Sequence, residues 1–403
     1  MNILVFNCGS SSLTFKIFNS TVNGNLEVVL SGKAHRVGVK GSESSFIEYD
    51  FKGLKTKEEK IIKSHKNAAI SILNFLKGND VFFNYIGHRF VHGGEYLNKT
   101  VFLNKSTLEK LRQCIPLAPI HNPISLSVVY ECNKQLSDTP QFVTFDSAFH
   151  SSIPDYAFTY AIPKKIIRKF SFRKYGFHGI SYSYVTREAS RYLESSPEDL
   201  KIVACHLGTG GSSVCAIQGG RSIDTSMGYS PLTGLMMSTR TGDIDPILTM
   251  YLMVAYDFRP DELINFLNKK SGLLGVSGVS SDIRDIISNF TSKGGKRPEL
   301  AFNMYIHRLK KYIGSYIVVL GGIDALVFTD DIGIHNWLVR EKVCENMGWC
   351  GISIDKESNQ KSILNSISLI SSKHSEVKVL CIPTEEELVI AMEGKKLIED
   401  SGK

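Results

Sequence analysis

The chain has 403 residues, a formal net charge of +7, 42% hydrophobic residues and 22% charged residues. That length exceeds one ordinary hydrophobic core and predicts two domains of globular composition. No stretch reaches the ~20 apolar residues a membrane span needs; the nearest, Tyr312 to Phe328, is broken by Gly321, Gly322 and Asp324.

Asn2 to Phe6, Leu13 to Phe18 and Leu26 to Leu30 are apolar and β-branched, separated by Gly, Ser and Asn turns, and predict strands. The apolar start reads as a buried first strand, because a signal peptide would carry a basic leader and a longer apolar stretch. Ser45 to Tyr49 predicts a further strand, Glu58 to Leu76 a helix, and the segment ending in Gly87-His-Arg-Phe-Val-His-Gly-Gly94 another strand. Helices are expected near 106–114 and 124–135, then a short strand from Gln141 to Asp146. At Lys201 the opening theme returns. Ile202 to Ile217 matches Ile3 to Ile17 in plan: a strand, a polar residue, a Gly/Ser turn and a second strand. Two copies of one hairpin-led unit follow from that repeat. Asp324 to Thr329 predicts a strand entering a turn and a helix from about Asn336. Val377 to Ile382 predicts a last strand and a final helix opened by a Thr384–Glu387 capping box. Strands that alternate with helices define an α/β architecture.

The eight cysteines show no Cys-x-x-Cys spacing, which disfavours a disulfide scaffold or a zinc finger and predicts reduced thiols in the cytoplasm. Lysine and arginine are scattered, so the positive charge reads as a solvated surface and predicts no nucleic-acid partner.

Two Gly/Ser turns carry chemistry. Asn7-Cys-Gly-Ser-Ser-Ser12 and Gly208-Thr-Gly-Gly-Ser-Ser213 bring backbone N–H groups and hydroxyls together. One such turn is an ordinary hairpin; two in equivalent places point to a phosphate cradle. Neither is a P-loop or a dinucleotide fingerprint, which disfavours an oxidoreductase. His88, His92, His121, His150, His178 and His206 all stand beside turn residues, and His88 with His92 lacks the glutamate and helix of a zinc protease. Phosphoryl transfer needs positioned reactants, a divalent metal and cations on the equatorial oxygens. Arg89 and Arg240, with planar forks for carboxylate or phosphate, suit that task. Asp146 and Glu386 follow predicted strands and offer hard oxygen ligands; a helix cap and a solvated acid are their plain alternatives.

These motifs, together with Ala118-Pro-Ile-His-Asn-Pro123, Phe145-Asp-Ser-Ala-Phe-His150, Arg173-Lys-Tyr-Gly-Phe-His-Gly179, Asp224-Thr-Ser-Met-Gly228, Thr239-Arg-Thr-Gly-Asp-Ile-Asp-Pro246, Lys270 to Gly278 and Pro383 to Glu387, resemble the acetate kinases in the same order. The resemblance implies the duplicated, ribonuclease H-like α/β fold of the acetate and sugar kinase/Hsp70/actin superfamily, with an active-site cleft between domains. The first domain would hold 1–150 and 386–403, the second 151–385. It implies a homodimer, and a reversible reaction in which ATP and acetate give ADP and acetyl phosphate with Mg²⁺, or Mn²⁺ in its place. By position, Arg89 and Arg240 would hold the carboxylate and the transferring phosphoryl, His178 would donate to that phosphoryl, and His121 and His206 would line the site. Asn7, Asp146 and Glu386 would place metal and phosphates. Val91, Ile120, Phe177 and Pro231 would enclose the methyl group. His206, Leu207, Gly208, Thr209 and Gly210, with Asp282, Ile283, Arg284, Asp330, Asp331, Ile332 and Gly333, would contact ATP. The chain departs from the family pattern at Thr14 (usually Lys, with Lys16 on the same strand face), Thr209 (usually Asn), Ile180 and Tyr182 (usually Thr and His), and Asp330 and Asp331 (usually small). One methylene is worth only ~1–3 kcal/mol of discrimination, which leaves propionate or butyrate as alternative acceptors, and the altered loop at 330–335 leaves a non-catalytic nucleotide binder as the other alternative.

Overall fold

The computed structural model describes residues 1–21, 23–39, 44–362 and 365–402. Its strands run in chain order as β1 (Asn2–Cys8), β2 (Ser12–Ser20), β3 (Leu26–His35), β4 (Phe46–Phe51), β5 (Leu54–Glu59), β6 (Tyr85–Phe90), β7 (Val101–Phe102), β8 (Gln141–Phe145), β9 (Lys201–Leu207), β10 (Ser212–Gln218), β11 (Arg221–Thr225), β12 (Ala325–Thr329), β13 (Ser368–Leu369) and β14 (Lys378–Cys381). The chain divides into two units: Met1–Phe149 with Glu385–Lys403, and His150–Thr384.

The first unit is built on a sheet of order β5-β4-β3-β2-β1-β6-β8-β7, with β1, β6 and β8 parallel. Ile3, Leu4, Val5 and Phe6 of β1 are all fully buried, so this central strand is covered on both faces. One cover is the helix His65–Gly78, capped by Ser64 and presenting Ala68, Ala69, Ile72 and Leu76 to the core of Leu4, Phe6, Phe15 and Ile17. The other cover is the helix Glu386–Asp400, packed on β1, β6 and β8. Two glycines allow that close seat: a Cβ on Gly87 or Gly394 would lie 2.6 or 2.0 Å from the Phe142 ring.

The second unit repeats the plan. Its sheet order is β11-β10-β9-β12-β14-β13, with β9, β12 and β14 parallel and both flanks antiparallel. Strand for strand this equals β3-β2-β1-β6-β8-β7. The opening hairpins agree as well: Gly9 N–H donates to Ser12 O at 2.9 Å, and Gly208 N–H to Gly211 O at 3.1 Å. The helix Lys296–Leu320 buries Phe302, Tyr305, Leu309, Ile313 and Leu320 at three- and four-residue spacing against β9 and β10.

Three local expectations fail. The helix expected from Glu58 begins at His65, because Leu54–Glu59 is an edge strand with all six residues exposed. The turn expected after Thr329 is instead a short helix, Asp330–His335, and Asn336 caps the next, Trp337–Cys344. The Thr384 capping box does not form: Thr384 Oγ1 has no hydrogen bond among the described residues, and the Glu387 carboxylate accepts from Asn7 Nδ2 at 2.8 Å and pairs with Lys16 at 3.4 Å.

Candidate active site

In the first unit, Asn7 at the end of β1, Lys16 on β2, Arg89 on β6 and Asp146 just after β8 all meet the start of the helix Glu386–Asp400. Arg89 Nε donates to Asp146 Oδ1 at 3.0 Å and Nη2 to Oδ2 at 2.6 Å, a two-point fork. Its Nη1 donates to Asn7 Oδ1 at 3.0 Å, and Nε lies 3.7 Å from Glu386. Asn7 Nδ2 donates to Glu386 at 3.0 Å. Burial opposes the Arg89 charge, but Asp146 and Glu386 more than reverse this and hold its pKa above the ordinary value. Lys16, bonded to Glu385 and Glu387, likewise sits above its usual value despite its burial.

This donor set is all hard oxygen. Burial pushes the Cys8 thiol up to about 12, so no thiolate competes there. Among the described residues no three acidic, histidine or cysteine side chains cage an ion by themselves. Mg²⁺ does not need a cage, since it is held by one or two carboxylates with waters and substrate phosphates. Asn7, Asp146 and Glu386 fit such an ion.

In the second unit, His178 precedes the helix Gly179–Tyr192 with φ 60. Its Nδ1 is 2.8 Å from Ser213 Oγ on β10, and its ring stacks on His206 of β9 with centroids 4.0 Å apart. His206 Nδ1 meets Ser181 Oγ at 2.9 Å and its Nε2 meets Asp330 Oδ2 at 3.0 Å. Arg240 donates to the Pro231 carbonyl at 3.2 Å and has no acid at ion-pair distance among the described residues. Burial therefore lowers its pKa with nothing to offset the shift. A Cβ on Gly211 would lie 3.2 Å from Arg240 Nη1 and 3.5 Å from His178 Nε2, so both groups border the space above that bare glycine.

Beside this lies a cavity of about 340 Å³ lined by Thr209, Asp282, Arg284, Asp331, His335 and Asn336, with Ile283 and Ile332 at its wall. Arg284 is forked onto Asp282, which caps the helix Ile283–Lys293. Thr209 Oγ1 donates to Asp331 at 3.2 Å. Asp330 has a left-handed φ of 64, and its carboxylate covers Gly208: a Cβ there would be 2.1 Å from Oδ2. Leu207 is core, and Gly210 has open space around it. Gly333 is buried, and its carbonyl accepts from the buried Arg340 at 2.8 Å.

Of the apolar candidates, Val91 and Phe177 are buried, Pro231 is half-buried and Ile120 is 50% exposed. His121 precedes the helix Asn122–Gln135. The other histidines near turns are structural. His88 Nε2 meets Gln141 at 2.8 Å, His92 Nδ1 accepts from Gly94 N–H at 2.9 Å, and His150 meets Ser222 and the Phe177 carbonyl. Sequence reasoning missed Ser181, Glu385 and Asn336, and named Ser213 only as part of the 208–213 turn. Only Asn336 carried a signal, as a helix-capping residue type ahead of an apolar turn.

Two units of matching strand order, each opened by a Gly/Ser hairpin, define a protein of the acetate and sugar kinase/Hsp70/actin superfamily. The Acetokinase family profile matches residues 2–392. The acetate kinase of Thermoanaerobacterium thermosaccharolyticum is 42% identical over 99% of both chains, and that of Caldicellulosiruptor bescii is 43% identical over 99% of this chain and 100% of the relative. Among solved structures, Entamoeba histolytica acetate kinase aligns with a TM-score of 0.88 at 44% identity, over 99% of this chain and 100% of that one. A propionate kinase from Francisella tularensis also scores 0.88, at 36% identity over 97% and 98%. The chain belongs to the acetokinase family, and it is a kinase.

Proposed function

We propose that the protein transfers the γ-phosphoryl group of ATP to acetate, reversibly, giving acetyl phosphate and ADP. The observation that carries this reading is the 42% identity to an acetate kinase across 99% of the chain. An acetate oxygen attacks the γ-phosphorus in line; one P–O bond forms as the bond to the departing ADP oxygen breaks, and no covalent enzyme intermediate arises. A bound Mg²⁺ would supply charge neutralisation at the transferring phosphate. Asn7 and Glu386 would hold it, with Asp146 fixing Arg89 beside them.

Arg89 and Arg240 hold the acetate carboxylate and the moving phosphoryl, and His178 donates a hydrogen bond to that phosphoryl. Val91, Ile120, Phe177 and Pro231 surround the methyl group, with His121 beside them. The turn His206–Gly210 takes nucleotide phosphates, while Asp282 to Arg284 and Asp330 to Gly333 border the adenosine. The domains in this reading are 1–150 with 386–403, and 151–385. A second copy of the chain would cover the helix Pro246–Tyr256. None of its residues is buried, and Ile247, Met250, Tyr251 and Val254 are each at least 62% exposed. The eight free cysteines suit the reducing cytoplasm.

Hydroxylamine trapping of acyl phosphate tests the reading, with acetate, propionate and butyrate offered in turn, with and without Mg²⁺. We expect acetyl hydroxamate from acetate and MgATP, and none without the metal. A methylene changes discrimination by only ~1–3 kcal/mol, so some propionate activity is expected. A kcat/KM higher for propionate than for acetate would overturn the choice of acceptor.

A further inference from the structure

We propose that Tyr182 and Ser213 form a hydrogen-bond relay that sets the tautomer of His178, making both of them positioning residues for phosphoryl transfer. The proposal rests on the reading of His178 as a donor to the phosphoryl group.

The relay is held by two elements of the second unit. Tyr182 stands one turn beyond His178 on the helix Gly179–Tyr192, and Ser213 pairs across β10 and β9 with His206. Tyr182 OH lies 2.5 Å from Ser213 Oγ, which lies 2.8 Å from His178 Nδ1. Tyr182 and Ser213 are both 0% exposed.

Proton accounting gives the relay a direction. Burial, first of all, raises the Tyr182 pKa well above its usual value, so the phenol keeps its proton. Of the two hydroxyls a phenol is the stronger donor and the weaker acceptor, so the Tyr182 O–H donates. Its single proton then goes to Ser213 Oγ. Ser213 in turn donates its proton to His178 Nδ1. An imidazole that accepts at Nδ1 is neutral and carries its hydrogen on Nε2. Nε2 is the atom that borders the space above Gly211 together with Arg240. Stacking on His206 fixes the ring plane, and the left-handed backbone of His178 keeps the ring out of the helix that follows.

Tyr182 is the outer group of the relay, so a phenol supplies its proton. A phenol does not titrate near neutral pH, whereas an imidazole there would.

The test compares Ser213→Ala, Tyr182→Phe, Ser213→Thr and His178→Ala in the full-length protein. Three readouts are kcat, both KM values, and the ring tautomer of His178 from nitrogen-15 spectra of histidine-labelled protein. Circular dichroism checks folding. Losing an oriented donor in a transition state costs about 10²–10³ in rate. A mis-set tautomer forfeits part of that, so Ser213→Ala and Tyr182→Phe should lower kcat about tenfold at near-native KM. Both variants should shift His178 away from the Nε2–H form, and Ser213→Thr should restore it. A lowered kcat with the tautomer unchanged overturns the relay. So does a crippled His178→Ala beside native-like Ser213→Ala and Tyr182→Phe. A fully active His178→Ala overturns instead the reading of His178 on which the relay rests.

Discussion

Arg89 and Arg240 are both half-buried guanidinium groups, in different units, with opposite surroundings. Arg89 is forked onto Asp146 and bonded to Asn7, with Glu386 close by. Arg240 has a carbonyl and a methionine sulfur as its neighbours. The first cation is compensated before any substrate arrives, and the second keeps its charge with little relief. A fixed frame thus holds Arg89, while Arg240 has no carboxylate beside it among the described residues.

The sharpest way to break that contrast is Arg240→Ala. A transition-state arginine is worth ~10³–10⁵ in rate, so acetyl phosphate formation should fall by that factor, roughly 4–7 kcal/mol. The thermal midpoint should scarcely move, since no buried partner is orphaned. A variant with more than a tenth of native kcat would refute the assignment. Asp146→Ala should do the converse to the fold. It strands a guanidinium that is 14% exposed, and losing a buried partner costs about 3 kcal/mol here, because Asn7 and Glu386 remain. Urea titration of the two variants side by side measures the difference.

A third test uses the neutral histidines of both units. Burial pushes His88 and His150 down to about 4 from an ordinary 6.5. Between those values the unfolded chain binds more protons than the folded one, so stability rises with pH across that window and is lost on acidification. The cost approaches on the order of 3 kcal/mol per histidine at its acid end. His88→Gln and His150→Gln should flatten the slope of stability against pH between about 4 and 6.5.

The smallest expected effect concerns the second unit alone. Asp330 places a carboxylate at the turn read as a phosphate site, and like charges repel. Asp330→Gly suits the left-handed backbone and removes the charge. The KM for MgATP should fall about five- to tenfold, damped by the side chain's 30% exposure, with the KM for acetate unchanged. An unchanged KM for MgATP would show that Asp330 does not face the nucleotide.

The hairpin repeat was legible because apolar strands flanking a Gly/Ser turn leave a strong pattern at both Ile3 and Ile202. Arg89, Asp146, Asn7 and Glu386 were each nameable from their motifs. Their mutual bonds were not, because 379 residues separate Asn7 from Glu386 and no local pattern encodes such a contact. The edge strand Leu54–Glu59 is not expected from the sequence, and its last two residues fall in the helix expected from Glu58, because an all-exposed strand rich in lysine and glutamate has no apolar alternation to betray it. The capping box failed for a related reason: Thr384 and Glu387 have the right spacing, but Asn7 and Lys16 compete for the carboxylate. Ser213 was nameable only as part of its Gly/Ser turn, because its contact with His178 spans 35 residues and no local pattern encodes it.

The carboxylate roof over Gly208 also constrains how this chain can change. A methyl group at 208 would sit 2.1 Å from Asp330 Oδ2. Gly208→Ala should therefore be damaging alone and only partly relieved in an Asp330→Gly background, because the Gly211 carbonyl oxygen would still lie 2.9 Å from the new Cβ. Position 208 is thus held to glycine from two sides: by an acid that position 330 could shed, and by the carbonyl of its own turn, which no substitution removes.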